Sequence, residues 1–304
     1  MSTTATAVKA KAAKAARGST TAAGVGAKGT WIAETVVVML CFLWLVPTFG
    51  LLVTSFRPGD DANSTGWWNF FANPLSFTME NYSAVLTSGD SQMGKAFINS
   101  LAVAVPATII PILIAAFAAY AFTFMEFPGR DVIFIVVVGL LVVPNQVALV
   151  PLSVLFQNWG IQGQFVTVWL AHTGFGMPLA VYILRNYMAT LPKSVIESAT
   201  IDGASHFQTF WRLIIPMSVP ALASFAIFQF LWVWNDLLVA LTFAGGRPNV
   251  APLTVRIAEM VGSRGSDWYL LSAGAFISMV VPVIVFLSLQ RYFVRGLLAG
   301  SVKG

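Results

Sequence analysis

The chain has 304 residues, of which 57% are hydrophobic and only 10% are charged. Soluble domains carry roughly 25% charged residues, so this composition excludes an ordinary soluble fold and indicates an integral membrane protein. The net charge of +5 does not indicate nucleic-acid binding, because the basic residues are scattered at the ends of apolar runs. The single cysteine, Cys41, lies in an apolar run, and the two histidines, His172 and His206, are far apart. We therefore expect no disulfide framework, no metal site and no bound cofactor.

Residues 1–29 precede the first apolar run and are rich in Ala, Thr, Gly and Lys without apolar periodicity. Such a composition favours a disordered basic tail. Residues 30–304 then form one membrane domain, because a bilayer core about 30 Å thick requires roughly 20 apolar residues per helix and six stretches supply them. The predicted fold class is all-α, with transmembrane spans at residues 32–56, 96–123, 132–156, 165–187, 216–243 and 268–290.

Proline occurs inside several of these spans. Membrane helices tolerate proline when neighbouring groups satisfy the backbone carbonyl that it leaves free. We therefore expect kinked helices that pack against protein at these positions. The residues concerned are Pro47, Pro106, Pro111, Pro144, Pro151, Pro178 and Pro282.

The distribution of Lys and Arg predicts the orientation of the chain. Six spans place both termini on one side of the membrane, which receives 12 of the basic residues, whereas the opposite side receives 5. Loops rich in Lys and Arg remain in the cytoplasm. We therefore expect both termini, and the loop between the fourth and fifth spans, on the cytoplasmic side of a multi-pass protein.

Polar residues lie within two of the predicted spans. Asn145 and Gln146 follow Pro144 in the third span, and Asn235 and Asp236 lie well inside the fifth. Ionisable groups at membrane depth are costly unless they face a cavity, a bundle interior or a partner. Each pair therefore has two interpretations: it lines a translocation path, or it is a packing residue satisfied by a helix kink or a neighbouring subunit.

The loop between the fourth and fifth spans reads LPKSVIESATIDGASHFQTFWRLIIP. Ser194 with Glu197 fits a helix-capping box, and Gly203 is placed to turn the chain between two short helices. Aromatic residues at helical spacing would form a face on the second helix: Phe207, Phe210 and Trp211. From these residues alone, docking onto a partner protein and resting on lipid headgroups are both open.

This loop resembles the EAA loop of ABC importer permeases. That pattern has Glu-Ala-Ala, three residues, Gly, nine residues and Ile-x-Leu-Pro, and Glu197, Ala199, Gly203 and Pro216 fall at its positions. The resemblance implies that residues 193–216 couple the chain to an ATPase. The coupling residues that it implies are Glu197, Ser198, Ala199, Asp202, Gly203, Ala204, Phe207, Phe210 and Pro216.

Further segments are similar to the carbohydrate-uptake branch of these permeases, most of all to the smaller permease of maltose and α-glucoside importers. They are FTMENYSAVL, NSLAVAV, AAYAFTFMEFPGR, WNDLLVALTF and QRYFVRGLLAGSVKG. The resemblance implies a six-helix ABC permease in a bacterial or archaeal cell membrane that carries maltose, a maltodextrin, trehalose or another α-glucoside. It also implies three partners: a second homologous permease, an ATPase dimer that hydrolyses the ATP, and an extracytoplasmic sugar-binding protein.

A second class of function remains open at this point. A self-contained secondary transporter would use Asp236 as a proton or cation relay. In either case the chain itself is a transport protein rather than an enzyme, and Asn145, Gln146, Asn235 and Asp236 are the candidate path residues.

Overall fold

The computed structural model describes residues 26–72, 74, 76–87, 93–263 and 267–299. Within these ranges, five helices are long and apolar enough to cross a membrane, and a pair of helices bent by 101° supplies a sixth span if it is counted as one. The predicted all-helical membrane fold is thereby confirmed. Residues 1–25 of the predicted basic tail lie outside the described residues, and residues 26–29 already belong to the first helix.

Thirteen α-helices follow one another along the described chain. A 3₁₀ turn at Trp67–Phe71 separates the second from the third, another at Leu140–Val142 follows the fifth, and a π-helical turn at Phe210–Ile214 joins the ninth to the tenth. In chain order the helices are α1 (Gly26–Ser55), α2 (Gly59–Ser64), α3 (Glu80–Thr87), α4 (Met93–Phe124), α5 (Arg130–Gly139), α6 (Asn145–Asn158), α7 (Phe165–Met188), α8 (Lys193–Ile201), α9 (His206–Thr209), α10 (Ile215–Trp234), α11 (Leu238–Phe243), α12 (Leu253–Ser263) and α13 (Trp268–Ala299).

Helix α4 is the centre of the bundle. It packs most extensively against α7 and also along α10, whereas α1 contacts mainly α13 and exposes most of its apolar side chains. Small residues let neighbouring membrane helices approach α4 closely. Those of α4 that are almost completely buried are Ala96, Ser100, Ala104, Ala107, Ala115, Ala116 and Ala119.

The third span is broken rather than continuous. Helix α5 and its 3₁₀ turn end at Val142, and α6 begins at Asn145 after the 101° bend. Pro144 accounts for the break, because a residue that precedes proline is driven to extended backbone and Val143 has ψ 120°. Non-helical backbone at membrane depth persists only where it faces protein or a water-filled cavity.

The fifth predicted span, 216–243, is not one continuous helix. Helix α10 stops at Trp234, and a separate short helix, α11, begins at Leu238. The carboxylate of Asp236 accepts hydrogen bonds from the backbone N–H groups of Val239 (3.3 Å) and Ala240 (2.9 Å). The side chain thus caps α11, and a capped start favours a new helix over continuation of the old one.

Three of the carbonyls freed by proline are bound by side chains of neighbouring helices. Pro106 cannot donate to the carbonyl of Ala102 four residues earlier in α4, and the indole Nε1 of Trp169 in α7 donates to that oxygen at 2.9 Å. The predicted satisfaction of such carbonyls by neighbours is confirmed here. Two further bonds of this kind join Gln229 to Ala107, four residues before Pro111 (3.1 Å), and Trp234 to Ser278, four residues before Pro282 (2.9 Å).

We expect Trp169→Phe to lower the free energy of unfolding by about 1 kcal/mol, because it leaves the part-buried carbonyl of Ala102 without a donor. Pro106→Ala restores a backbone N–H four residues after Ala102, which can donate to the carbonyl of that residue. In the Pro106→Ala background, Trp169→Phe should therefore lower the free energy of unfolding by clearly less. Thermal unfolding of the purified protein in detergent measures both costs. Equal costs in the two backgrounds would assign the loss to ring volume rather than to the hydrogen bond.

Candidate functional site

Residues 193–216 form a helical hairpin, called here the polar hairpin. Its turn is a Schellman motif: Gly203 N–H donates to the carbonyl of Thr200 (3.1 Å), and Ala204 N–H donates to that of Ala199 (2.9 Å). Gly203 has φ +77°, in the left-handed region that glycine adopts without strain. The predicted turn at Gly203 is therefore present in the structure.

The predicted capping box at Ser194 and Glu197 is wrong. Helix α8 begins at Lys193, directly after Pro192 with φ −62° and ψ 120°, so that Ser194 lies inside its first turn. The capping box belongs to the second helix: Ser205 Oγ accepts from Gln208 N–H (3.3 Å), and Gln208 Oε1 accepts from Ser205 N–H (2.9 Å). The chain is therefore fixed immediately after the turn as well as within it.

The polar hairpin presents both charged and apolar side chains to its surroundings. Ala199 is buried next to the turn, whereas Glu197 and Asp202 are exposed. Ile201 is 86% exposed and Phe207 is 65% exposed. Large apolar side chains held this far out of the fold, beside carboxylates, suit a protein partner or a headgroup layer. Sequence reasoning did not single out Ile201, although its place at the end of α8 before the turn was visible.

The aromatic face predicted on the second helix is divided by the fold. Phe207 is exposed, but Phe210 is only 2% exposed and stacks on Phe117 of α4, with ring centroids 4.4 Å apart. Phe210 is thus a packing residue of this chain rather than part of the exposed face. The remaining predicted residues of the hairpin, by contrast, lie at or near its surface: Ser198 and Pro216 exposed, Ala204 half-buried.

A cleft of about 410 Å³ opens beside the break in the third span. It combines the half-buried amide of Asn145 with the carbonyl of Gly174, which has no helical partner because Pro178 lacks an N–H. Uncharged polar groups and aromatic rings therefore line the same cleft. Its lining includes Asn145, Gly174, Phe175, Phe228, Gln229 and Trp232.

The four predicted path residues do not form one site. Asn145 lines the cleft, whereas Gln146 is exposed on the next position of α6. Asn235 is exposed and its Nδ2 donates to the carbonyl of Leu231 at 2.7 Å. Asp236 caps α11, as described above, which supports the packing interpretation of this residue.

A buried histidine lies next to Asp236. His172 Nε2 is 3.6 Å from Asp236 Oδ2, which is within ion-pair range but too long for a hydrogen bond. Neither ring nitrogen of His172 has a hydrogen-bond partner within the described chain. Sequence reasoning had considered His172 only as a metal ligand, because nothing in the sequence placed it beside the break after α10.

The chain matches the family described as "Binding-protein-dependent transport system inner membrane component" over residues 111–298. The chain belongs to this family. The match includes the cleft and the whole polar hairpin. The protein is therefore an ABC transporter permease of the carbohydrate-uptake type, a multi-pass inner-membrane component rather than the ATPase.

Two relatives resemble this permease over much of its length. It is 58% identical over 270 residues to the osmoprotective compounds uptake permease protein GgtD of Synechocystis sp., which covers 88% of this chain and 90% of the relative. It is also 58% identical over 236 residues to the alpha-glucoside transport system permease protein AglG of Rhizobium meliloti, covering 76% of this chain. The permease spans 62% of the length of AglG.

A solved structure shares the fold of the permease. A chain of a bacterial ABC transporter involved in the import of the acidic polysaccharide alginate aligns with a TM-score of 0.64 and 13% sequence identity. The alignment covers 88% of the permease and 96% of that chain. At this identity the likeness establishes the ABC importer permease fold.

Proposed function

We propose that this subunit of an ABC sugar importer forms half of the translocation pathway and receives the ATPase at the polar hairpin. The observation that carries the proposal is the geometry of that hairpin. A Schellman turn at Gly203 and a capping box at Ser205 hold it in one shape, and Ile201 and Phe207 project from it beside exposed carboxylates. A preformed surface of this kind loses little conformational entropy when a partner binds.

The importer contains three further components: a second homologous permease, an ATPase dimer and an extracytoplasmic sugar-binding protein. Membership of a binding-protein-dependent family supports the last of these. Both termini and the polar hairpin face the cytoplasm, in accordance with the excess of Lys and Arg on that side. A self-contained secondary transporter fits less well, because such a transporter does not account for membership of a binding-protein-dependent family. In addition, the carboxylate of Asp236 already accepts the hydrogen bonds that cap α11.

The substrate is an uncharged α-glucoside, such as maltose, a maltodextrin or trehalose. One relative carries the name of an alpha-glucoside permease and another that of a permease for osmoprotective compounds. The cleft supports an uncharged ligand, since the described residues that line it carry amide and carbonyl groups and aromatic rings but no charged side chain. Such groups bind hydroxyls by hydrogen bonds and pack against the apolar faces of sugar rings.

Uptake of labelled sugars by a strain lacking this subunit tests the proposal. Loss of maltose, maltodextrin or trehalose uptake, restored by the wild-type subunit on a plasmid, is the expected result. The tagged subunit should also co-purify with an ATPase subunit. Unchanged uptake of all three sugars in the deletion strain, together with loss of a different osmoprotective solute, would replace the α-glucoside by that solute.

We expect Asn145→Leu to reduce sugar uptake by about tenfold, the effect of losing one good hydrogen bond to a bound substrate. Gln146→Leu is the matched control, because it removes a similar amide from the adjacent, exposed position of α6. Initial uptake rates at equal membrane amounts of the two variants provide the measurement. A greater loss in Gln146→Leu than in Asn145→Leu would place the path on the other face of α6.

A further inference from the structure

Helix α4 runs through the whole described bundle. With 32 residues at about 1.5 Å rise each, it is about 48 Å long. It packs along α7 and α10, and each of its ends is bonded to a different segment outside the bundle core. What these two attachments have in common is that both use side chains of α4.

At its inner end, which is the C-terminal end and faces the cytoplasm in the proposed orientation, α4 contacts the polar hairpin. The hydroxyl of Tyr120, itself 4% exposed, lies 3.0 Å from Nδ1 of His206, the first residue of α9. The stacking of Phe117 on Phe210 adds a second contact between the same two elements. A displacement of the hairpin therefore acts directly on the inner end of α4.

At its outer end, which is the N-terminal end, α4 contacts residues 248–253, which lead into α12. Asn99 Nδ2 donates to the carbonyl of Ala251 at 3.0 Å, and the backbone N–H of Leu253 donates to Ser100 Oγ at 2.8 Å. Lys95 Nζ donates to Asn249 Oδ1 at 2.6 Å. These bonds tie the loop to consecutive turns of α4.

Between its two ends, α4 contains Pro106 and Pro111, which would each create a flexible point. Their freed carbonyls are bound by Trp169 of α7 and Gln229 of α10. Gly176 permits this arrangement, since a Cβ at that position would lie 2.7 Å from Gln229 Oε1. Both proline positions are therefore held by neighbouring helices. This support limits bending of α4, so that its two ends move together.

We propose that α4 acts as a rigid rod, called here the strut, and transmits movement of the polar hairpin to the loop at residues 248–253. The proposal rests on the proposed docking of the ATPase at the hairpin. Tyr120 and Asn99 are positioning residues, acting through His206 and the loop backbone. Closure of the ATPase shifts the hairpin, and α4 moves with the hairpin as one rigid body. The movement of the loop at residues 248–253 is therefore driven by the ATPase.

A double-variant experiment tests the strut. Asn99 and Tyr120 are 21 residues apart, or about 32 Å along α4, and substitutions at that distance are normally independent. Tyr120→Phe keeps the ring and removes the hydroxyl, and Asn99→Leu removes the amide. The assembled importer with its ATPase and binding protein is placed in lipid vesicles, and sugar transported per ATP hydrolysed is measured.

Each single variant should lower this ratio by about fivefold, and the double variant should again show about a fivefold loss rather than the roughly 25-fold loss of independent sites. His206→Asn keeps an acceptor near the position of Nδ1 and should retain the ratio, whereas His206→Leu should behave like Tyr120→Phe. Tyr187→Phe is the control, because it removes a hydroxyl that donates to Met217 (3.2 Å) and does not contact the hairpin turn.

The outcomes separate the strut from the proposed function. Multiplied losses in the double variant, with the ATPase still bound, would overturn the strut and leave the docking role intact. Absence of ATPase from the wild-type assembly would overturn the docking role instead. If Asn99→Leu fails to accumulate in the membrane, Lys95→Met takes its place, since it removes an exposed bond to the same loop.

Discussion

Gly203→Asp should reduce sugar uptake by about tenfold or more, because a non-glycine residue in the left-handed region costs about 1–3 kcal/mol. The backbone there has φ +77°, and nothing lies within 4 Å of the position that a Cβ would take. The expected loss therefore comes from the backbone and from charge rather than from a steric clash. The new carboxylate would also stand beside Asp202, which repels it and further disfavours the turn.

Two companion variants separate these causes. Gly203→Asn introduces a side chain of similar size without the charge, and asparagine tolerates the left-handed region better than most residues. It should lose less uptake than Gly203→Asp. Gly160→Asp is the matched control, because Gly160 has φ +70° and open space but lies between α6 and α7, away from the polar hairpin.

Uptake and co-purification of the ATPase with the tagged permease are measured together. Gly203→Asp should reach the membrane in normal amounts, since the spans are untouched, but should retain little ATPase. Gly160→Asp should retain both properties. Equal losses of uptake in the two variants would mean that backbone strain anywhere in the permease suffices, and the hairpin would have no special role.

Glu197→Lys should also reduce uptake by about tenfold, through the loss of a charge contact at a protein interface. Glu197 is exposed on α8, so the substitution changes the surface of the polar hairpin without disturbing its packing. Steering between opposite charges depends on ionic strength. ATPase retention by the wild type should accordingly fall as salt rises, and retention by Glu197→Lys should change less.

Glu126→Lys is the matched control for this charge reversal. Glu126 is an exposed carboxylate in the segment between α4 and α5, at the same end of the bundle as the polar hairpin. The variant has the same net charge as Glu197→Lys. A larger loss of ATPase binding in Glu126→Lys would move the docking surface away from the hairpin to that segment.

The sequence by itself determined the membrane class, the approximate places of the spans and the turn at Gly203. These features are local: uncharged stretches of about 20 residues are stable only where a bilayer or a buried core surrounds them. A glycine that follows a short helical stretch ends that helix for reasons of its own backbone. The spacing of Glu197, Ala199, Gly203 and Pro216 was likewise sufficient to recognise the family.

The tertiary structure decided which side chains perform which task. Phe210 and Ile201 are both large and apolar, yet one is buried against α4 and the other is exposed, because their neighbours in the fold differ. Helix α10 ends at Trp234, and the carboxylate of Asp236 caps the start of the separate helix α11. The sequence predicted one span across this point because the apolar stretch continues on both sides of Asp236.

The partners of the proline-freed carbonyls could not be predicted from the sequence either. Trp169 lies 67 residues from Ala102, and Gln229 lies 122 residues from Ala107. The sequence required that each carbonyl find a donor, since an unpaired polar group in a membrane is costly. Only the packing of α7 and α10 against α4 decided which donors reach them, because that depends on the contact between distant segments rather than on local preference.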